Sequence, residues 1–191
     1  QTETDGALEI NYRAGSQPGR GRPAAAPKAL SKLVRVAHTG RGFEVTRLPG
    51  PVKGGLPGLD LDLGAVGKGY ALDAALAALK DWDIGNVLLH AGTSTALAAG
   101  PGPGGGGGGD GWPVGAGSSR GRTAGQGRII LKNRALSGSG TEVKGQHVVD
   151  PRTGRPARGH AAAWASHPSA ASSDALSTAF MVMTTAAGAG F

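Results

Sequence analysis

The sequence predicts an α+β domain. Three observations carry that expectation. Several segments of four to six residues are alternating or continuously apolar and read as strands. Two longer segments repeat apolar residues at helical spacing, around Leu72 and around Leu176. Between Leu59 and Lys80 the period changes from two to 3.6 across a glycine-rich turn, the mark of a strand running into a helix.

That central stretch organises the chain. Leu59, Leu61 and Leu63 alternate with Asp60 and Asp62, as in a half-buried strand. Gly64, Gly67 and Gly69 make the turn, and Leu72, Ala75, Leu76 and Leu79 form one helical face. A helix start offers free backbone N–H groups suited to a phosphate, and Lys68 adds positive charge there. Neither common phosphate motif fits. A P-loop needs Gly-Lys followed by Ser or Thr, and Lys68 is followed by Gly69. The dinucleotide fingerprint Gly-x-Gly-x-x-Gly fails on spacing. On local pattern alone, a plain strand–helix connection remains open.

Before this stretch, residues 1–28 read as a basic segment rich in Gly, Pro, Arg and Ala, with one short strand over Leu8–Tyr12 and a linker after it. Residues 29–191 read as the folded domain. Ala29–Ala37 is expected to be a short helix, because Leu30, Leu33, Val34 and Ala37 share a face. Arg47–Gly58 is a Pro/Gly connection.

After the central helix, Asn86–Ala91 reads as a buried strand. Pro101–Gly111 contains six consecutive glycines and is expected to be a flexible loop. Trp112–Gly115, Arg128–Lys132 and Ala161–Ser166 read as strands, with a turn at Asn133-Arg134 and a small-residue segment over Ala135–Gly140. Ser173–Met183 reads as a helix with Leu176, Ala179, Phe180 and Met183 inward.

Composition narrows the function classes. There is no Cys, which excludes disulfides, thiolate metal sites and cysteine nucleophiles. No run of eighteen apolar residues and no secretory leader is visible, and the chain opens on Gln1, as a fragment or processed product would. Aromatic residues make up only 4% of the chain and Gly numbers 36, so the core is expected to be thin and Ala-rich. The net charge is +7. The first 53 residues hold nine Lys/Arg against four Asp/Glu, so most of the excess lies there. The basic residues alternate with Pro, Gly and Ala rather than aromatics, which argues for a solvated tail over a nucleic-acid surface.

Three motifs in order, covering roughly Thr39 to Met183, resemble the ApbE family, the FAD:protein FMN transferases. They are Asp-Leu-Gly-Ala-Val-Gly-Lys-Gly-Tyr-Ala-Leu-Asp (Asp62–Asp73), His-Val-Val-Asp-Pro-Arg-Thr-Gly (His147–Gly154) and Ser-Asp-Ala-Leu-Ser-Thr-Ala (Ser173–Ala179). The resemblance implies an ApbE-like α+β domain with mixed sheets flanked by helices. It also implies Mg²⁺-dependent transfer of FMN from FAD to a threonine hydroxyl of an acceptor protein, with release of AMP.

The same resemblance implies site residues. Asp174 and Thr178 would bind the metal, with the backbone carbonyl of Ala65 as a further ligand. Asp174 and Thr178 lie four apart on a helix, so they share a face, and an all-oxygen set suits Mg²⁺. Asp62 and Lys68 would contact FAD. His147 would sit at the flavin pyrophosphate, orienting it or acting as general base, while Asp174 is the other candidate for that catalytic role. Asp150 and Arg152 are expected to pair locally and hold their turn. His38, His90, His160 and His167 match no ligand spacing.

Thr39–Thr46 resembles a further, shorter element of the family, and the segment between it and the central motif is much shorter than in the family. A catalytically impaired flavin- or nucleotide-binding remnant is therefore the alternative function. FAD and an acceptor protein are the expected partners and nucleic acid is not. The family's common setting adds the expectation of a periplasmic site or a membrane-associated acceptor.

Overall fold

The computed structural model describes residues 34–40, 42–48, 62–104, 110–117, 127–142 and 145–184. In chain order the elements are β1 (Val34–Thr39), β2 (Gly42–Arg47), α1 (Gly67–Lys80), β3 (Val87–Ala91), β4 (Thr95–Ala99), β5 (Trp112–Ala116), β6 (Gly127–Leu131), β7 (Arg134–Gly140), β8 (Val149–Asp150), β9 (Arg155–Pro156), β10 (Ala162–His167) and α2 (Ala170–Phe180). The class is α+β, and every described strand pairing is antiparallel.

A four-stranded sheet in the order β10-β7-β4-β3 forms the middle layer. Side chains alternate across it. Leu97 and Ala135 face the helices, where Leu72 of α1 and Ala170 of α2 meet them and Leu76, Leu89 and Ala91 fill the edge. The neighbouring residues Ala96, Ala98 and Leu136 face the other way, against Leu131, Trp112, Val114 and Ala116 of the β5–β6 hairpin. With layers on both faces, β4 is buried along its whole length. Among the described residues, eight of the sixteen buried hydrophobic ones are alanines, which lets these layers approach closely.

The period-3.6 face expected for α1 is observed, with Leu72 buried and Ala75, Leu76 and Leu79 half-buried. The four strands expected after it also form. β3 is an edge strand and only half-buried, because β4 covers it on one side alone. Met181, Val148 and Ala157 cluster with Ala163 and Val182, which ties the β8–β9 hairpin to the end of α2.

Two expectations change. The helix over Ala29–Ala37 is not formed where it can be seen: Val34–Ala37 belong to strand β1, and residues 29–33 lie outside the described residues. Val34 and Val36 are β-branched and alternate, and β2 supplies Val45 opposite Val36 and Phe43 opposite His38. The central strand is also not seen. Residues 59–61 lie outside the described residues, and Asp62 and Leu63 are in no strand but lead into the turn of residues 64–66, where the N–H groups of Val66 and Gly67 donate to the Leu63 carbonyl at 3.0 and 2.7 Å. The N-terminal segment 1–28 and the glycines 105–109 lie outside the described residues as well.

The inward face of α2 differs from its apolar pattern. Ala179 and Met183 are buried as expected, but Leu176 and Phe180 are only half-buried. Ser173, Asp174 and Ser177 are fully enclosed and point into the sheet. Hydrogen bonds permit this burial. Ser173 Oγ donates to the Ala165 carbonyl at 2.8 Å, and Ser177 Oγ donates to the Asp174 carbonyl at 2.9 Å.

Candidate functional site

The polar centre of the fold is the Asp174 carboxylate, buried where α1, α2 and β4 meet. Lys68 Nζ lies 3.0 Å from Oδ1 and 3.2 Å from Oδ2. The Gly69 N–H donates to Oδ2 at 3.2 Å, and Thr95 Oγ1 donates to Oδ1 at 3.3 Å. A buried carboxylate is costly unless paired and hydrogen-bonded, and here both oxygens have two donors each. Lys68 Nζ also reaches the Gly64 carbonyl at 3.5 Å. The ammonium thus rests among oxygen atoms alone.

The first turn of α1 is shaped by this contact. Gly69 is the third residue of α1, so its N–H is one of the donors a helix start leaves without an intrahelical partner, and Asp174 takes it. Ala65 lies one residue before the N-cap Val66, and no donor among the described residues reaches its carbonyl.

Thr178 follows Asp174 by one turn of α2. Its hydroxyl sits 3.1 Å from Ser139 Oγ on β7 and donates weakly to the Asp174 carbonyl at 3.4 Å. Ser139 also bonds Ser177 at 2.9 Å. Beside them, Ser137 Oγ is buried on β7 directly opposite Thr95, with no hydrogen-bond partner among the described residues. The floor under α2 is therefore a patch of hydroxyl oxygens around a single carboxylate.

The structure brings Lys68 and Asp174 into contact and places Ala65 and Thr178 within a turn of them. It does not join Asp62 or His147 to them. Asp62 is exposed, and its Oδ1 accepts from the Gly64 N–H at 2.7 Å, which holds the turn before α1. His147 is exposed; its N–H and Nδ1 both face the Gly145 carbonyl, at 2.9 and 3.0 Å, and its Nε2 has no partner among the described residues. Asp150 and Arg152 pair as expected, with Nε to Oδ1 at 3.0 Å and the Arg152 N–H to Oδ1 at 2.9 Å. Burial pushes the Asp150 carboxyl up, but the Arg152 hydrogen bonds and charge, together with the Thr153 N–H, outweigh it and hold the group below its ordinary value. Arg152 also donates to the Val182 carbonyl at 3.2 Å.

Asp73 is a residue that motif reading left without a role. Its carboxylate accepts from Ser169 Oγ at 2.8 Å, the Ala170 N–H at 2.8 Å and the Ala171 N–H at 3.0 Å. It therefore caps α2 from the side of α1, next to the local cap by Ser169. Gly69 has a second task too: a Cβ there would lie 2.1 Å from the Ala170 carbonyl oxygen, so only glycine lets the helices cross at this point. Thr95 was not legible as an Asp174 partner, because the two are 79 residues apart.

Asp174, Thr178 and the Ala65 carbonyl offer oxygen donors only, the kind a hard divalent cation takes. Among the described residues no group of three or more His, Cys, Asp or Glu could hold a metal ion. One carboxylate, one hydroxyl and one unengaged backbone carbonyl are instead the sparse oxygen set of a cation that keeps waters and phosphate oxygens as its other ligands. The Lys68 ammonium beside Asp174 marks the place as favourable to positive charge.

An antiparallel sheet between a helical layer and a hairpin, with a carboxylate–ammonium pair at the helix crossing, defines an α+β protein with an oxygen-lined polar centre. The ApbE family profile matches residues 4–191, and the chain belongs to the ApbE family. Solved structures share the fold. The apo flavinyl transferase ApbE of Pseudomonas stutzeri superposes with a TM-score of 0.71 at 22% identity, over 98% of this chain and 59% of that one. The flavin transferase ApbE of Vibrio cholerae gives 0.68 at 22% identity, over 99% of this chain and 62% of that one. The ApbE protein of Thermotoga maritima gives 0.56 at 31% identity, over 80% of this chain and 47% of that one. The chain thus spans less than two thirds of the length of each. No curated protein matches it in sequence.

Proposed function

We propose that the chain transfers FMN from FAD to a threonine hydroxyl of an acceptor protein, with Mg²⁺ as cofactor and AMP as leaving group. The observation that carries this reading is the Lys68–Asp174 centre at the start of α1, beside the unengaged Ala65 carbonyl. Family membership and the likeness to two flavin transferases support it.

Asp174, Thr178 and the Ala65 carbonyl would hold Mg²⁺, which when bound offsets negative charge on the pyrophosphate oxygens. Lys68 places an ammonium at the same spot for a phosphate oxygen. Asp62 Oδ2, which has no partner among the described residues, would accept from a ribose or adenine group, while Oδ1 holds the turn. His147 presents Nε2 to solvent, with the ring oriented through Nδ1, and serves to orient the phosphate or to take the threonine proton. In the reaction the threonine oxygen forms a bond to the FMN phosphorus. The anhydride bond breaks, AMP leaves with the bridging oxygen, and the threonine proton passes to the base.

Incubation with FAD, MgCl₂ and a threonine-bearing acceptor, followed by intact mass, tests the reading. The expected product is acceptor plus FMN less one water. The short Arg47–Gly58 connection favours a second reading, an impaired nucleotide-binding relative. That reading holds if FAD binds and the acceptor mass does not change.

A further inference from the structure

Asp174 has three partners, and they differ in one respect. The Gly69 N–H is fixed in the backbone of α1, and the Thr95 hydroxyl is buried on β4. Lys68 alone is mobile, since its ammonium ends a chain of rotatable bonds and its side chain is 40% exposed. It is the one partner that can leave without unfolding a helix crossing.

We propose that Lys68 is a resident counter-ion of Asp174, displaced when a divalent cation and a pyrophosphate group bind, so that the two ligands bind cooperatively. The inference rests on the magnesium and FAD reading above and adds how that site is regulated. A divalent cation at the carboxylate cannot share it closely with the ammonium, because like charges at contact distance repel. The cation alone must therefore displace Lys68 into water. When a pyrophosphate arrives as well, the displaced ammonium gains a new anionic partner beside the old one. Both ligands then favour the same position of Lys68, and each raises affinity for the other by the same factor. The Gly69 and Thr95 donors hold the carboxylate in place throughout the exchange.

Calorimetric titration with MgCl₂ tests this, in the presence and absence of FAD, with magnesium binding to FAD alone subtracted. In the wild type, FAD should tighten magnesium binding by about tenfold or more. Lys68→Met, without FAD, should already bind magnesium about tenfold tighter than the wild type without FAD, and FAD should then tighten it by a smaller factor than in the wild type. Equal magnesium affinity of the two proteins without FAD, with the same FAD effect in both, overturns the exchange and leaves the metal site standing. Should circular dichroism show that Lys68→Met is unfolded, the wild type decides, and magnesium affinity indifferent to FAD overturns it. Magnesium bound by neither protein, even with FAD, overturns both the exchange and the magnesium reading.

Discussion

Asp73 Oδ2 accepts a hydrogen bond from Ser169 Oγ at 2.8 Å, so a side chain in the middle of α1 caps the start of α2. The same carboxylate takes the N–H groups of Ala170 and Ala171, donors that a helix start otherwise leaves unsatisfied. Asp73→Ala should destabilise the fold by about 2–3 kcal/mol, more than an exposed cap costs, because the site is partly buried. Urea denaturation should show a lower midpoint with an unchanged slope.

Two glycines of the central turn should behave in opposite ways. Gly69→Ala sets a Cβ against the Ala170 carbonyl, backbone against side-chain root, with nothing that can rotate away. It should cost about 3 kcal/mol. At Gly67 an added Cβ meets only Leu63 Cβ, at 3.7 Å, in a helical conformation. Gly67→Ala should stabilise by about 0.5–1 kcal/mol. Melting temperatures of the pair check both signs.

For the proposed reaction, Asp174→Ala should lower transfer about 100-fold or more and Thr178→Ala about tenfold, since a carboxylate supplies charge and a hydroxyl only a dipole. Initial rates from intact mass of the acceptor, at saturating FAD and on folded variants, give the comparison. Equal losses would remove Asp174 from its leading role.

Asp150 gives a pH prediction. Its carboxyl is held below the ordinary 3.8 in the folded state, so folding favours the charged form. The resulting stability is present above that value and is lost as pH falls through the folded one. Asp150→Asn should therefore melt lower than the wild type at pH 7, by a gap worth about 1 kcal/mol or less, and the gap should close in acid. A gap that persists unchanged below about pH 2 would assign the effect to shape rather than charge.

Much of this was legible in the sequence. The helical period around Leu72 is strong over four positions, and α1 follows it. The Asp150–Arg152 pair is local in sequence and reads from spacing. Three things were hidden, each for a physical reason. Val34–Ala37 fits both periods, and only the pairing with β2 decides for a strand. The inward side of α2 is polar, so a search for apolar periodicity selects Leu176 and Phe180, at its margin. The Lys68–Asp174 pair joins residues 106 apart, and no local pattern encodes which lysine meets which aspartate.

The crossing of α1 and α2 bears on how sequences of this kind can drift. Gly69 and Asp73 are required wherever these two helices cross, whether or not any chemistry is performed there. A relative that performed no chemistry would still be held to Gly69, Leu72 and Asp73 by folding alone, while Tyr70 and Ala71 are exposed. His147 is under no such obligation: it is exposed, and among the described residues it bonds only the Gly145 carbonyl of its own loop.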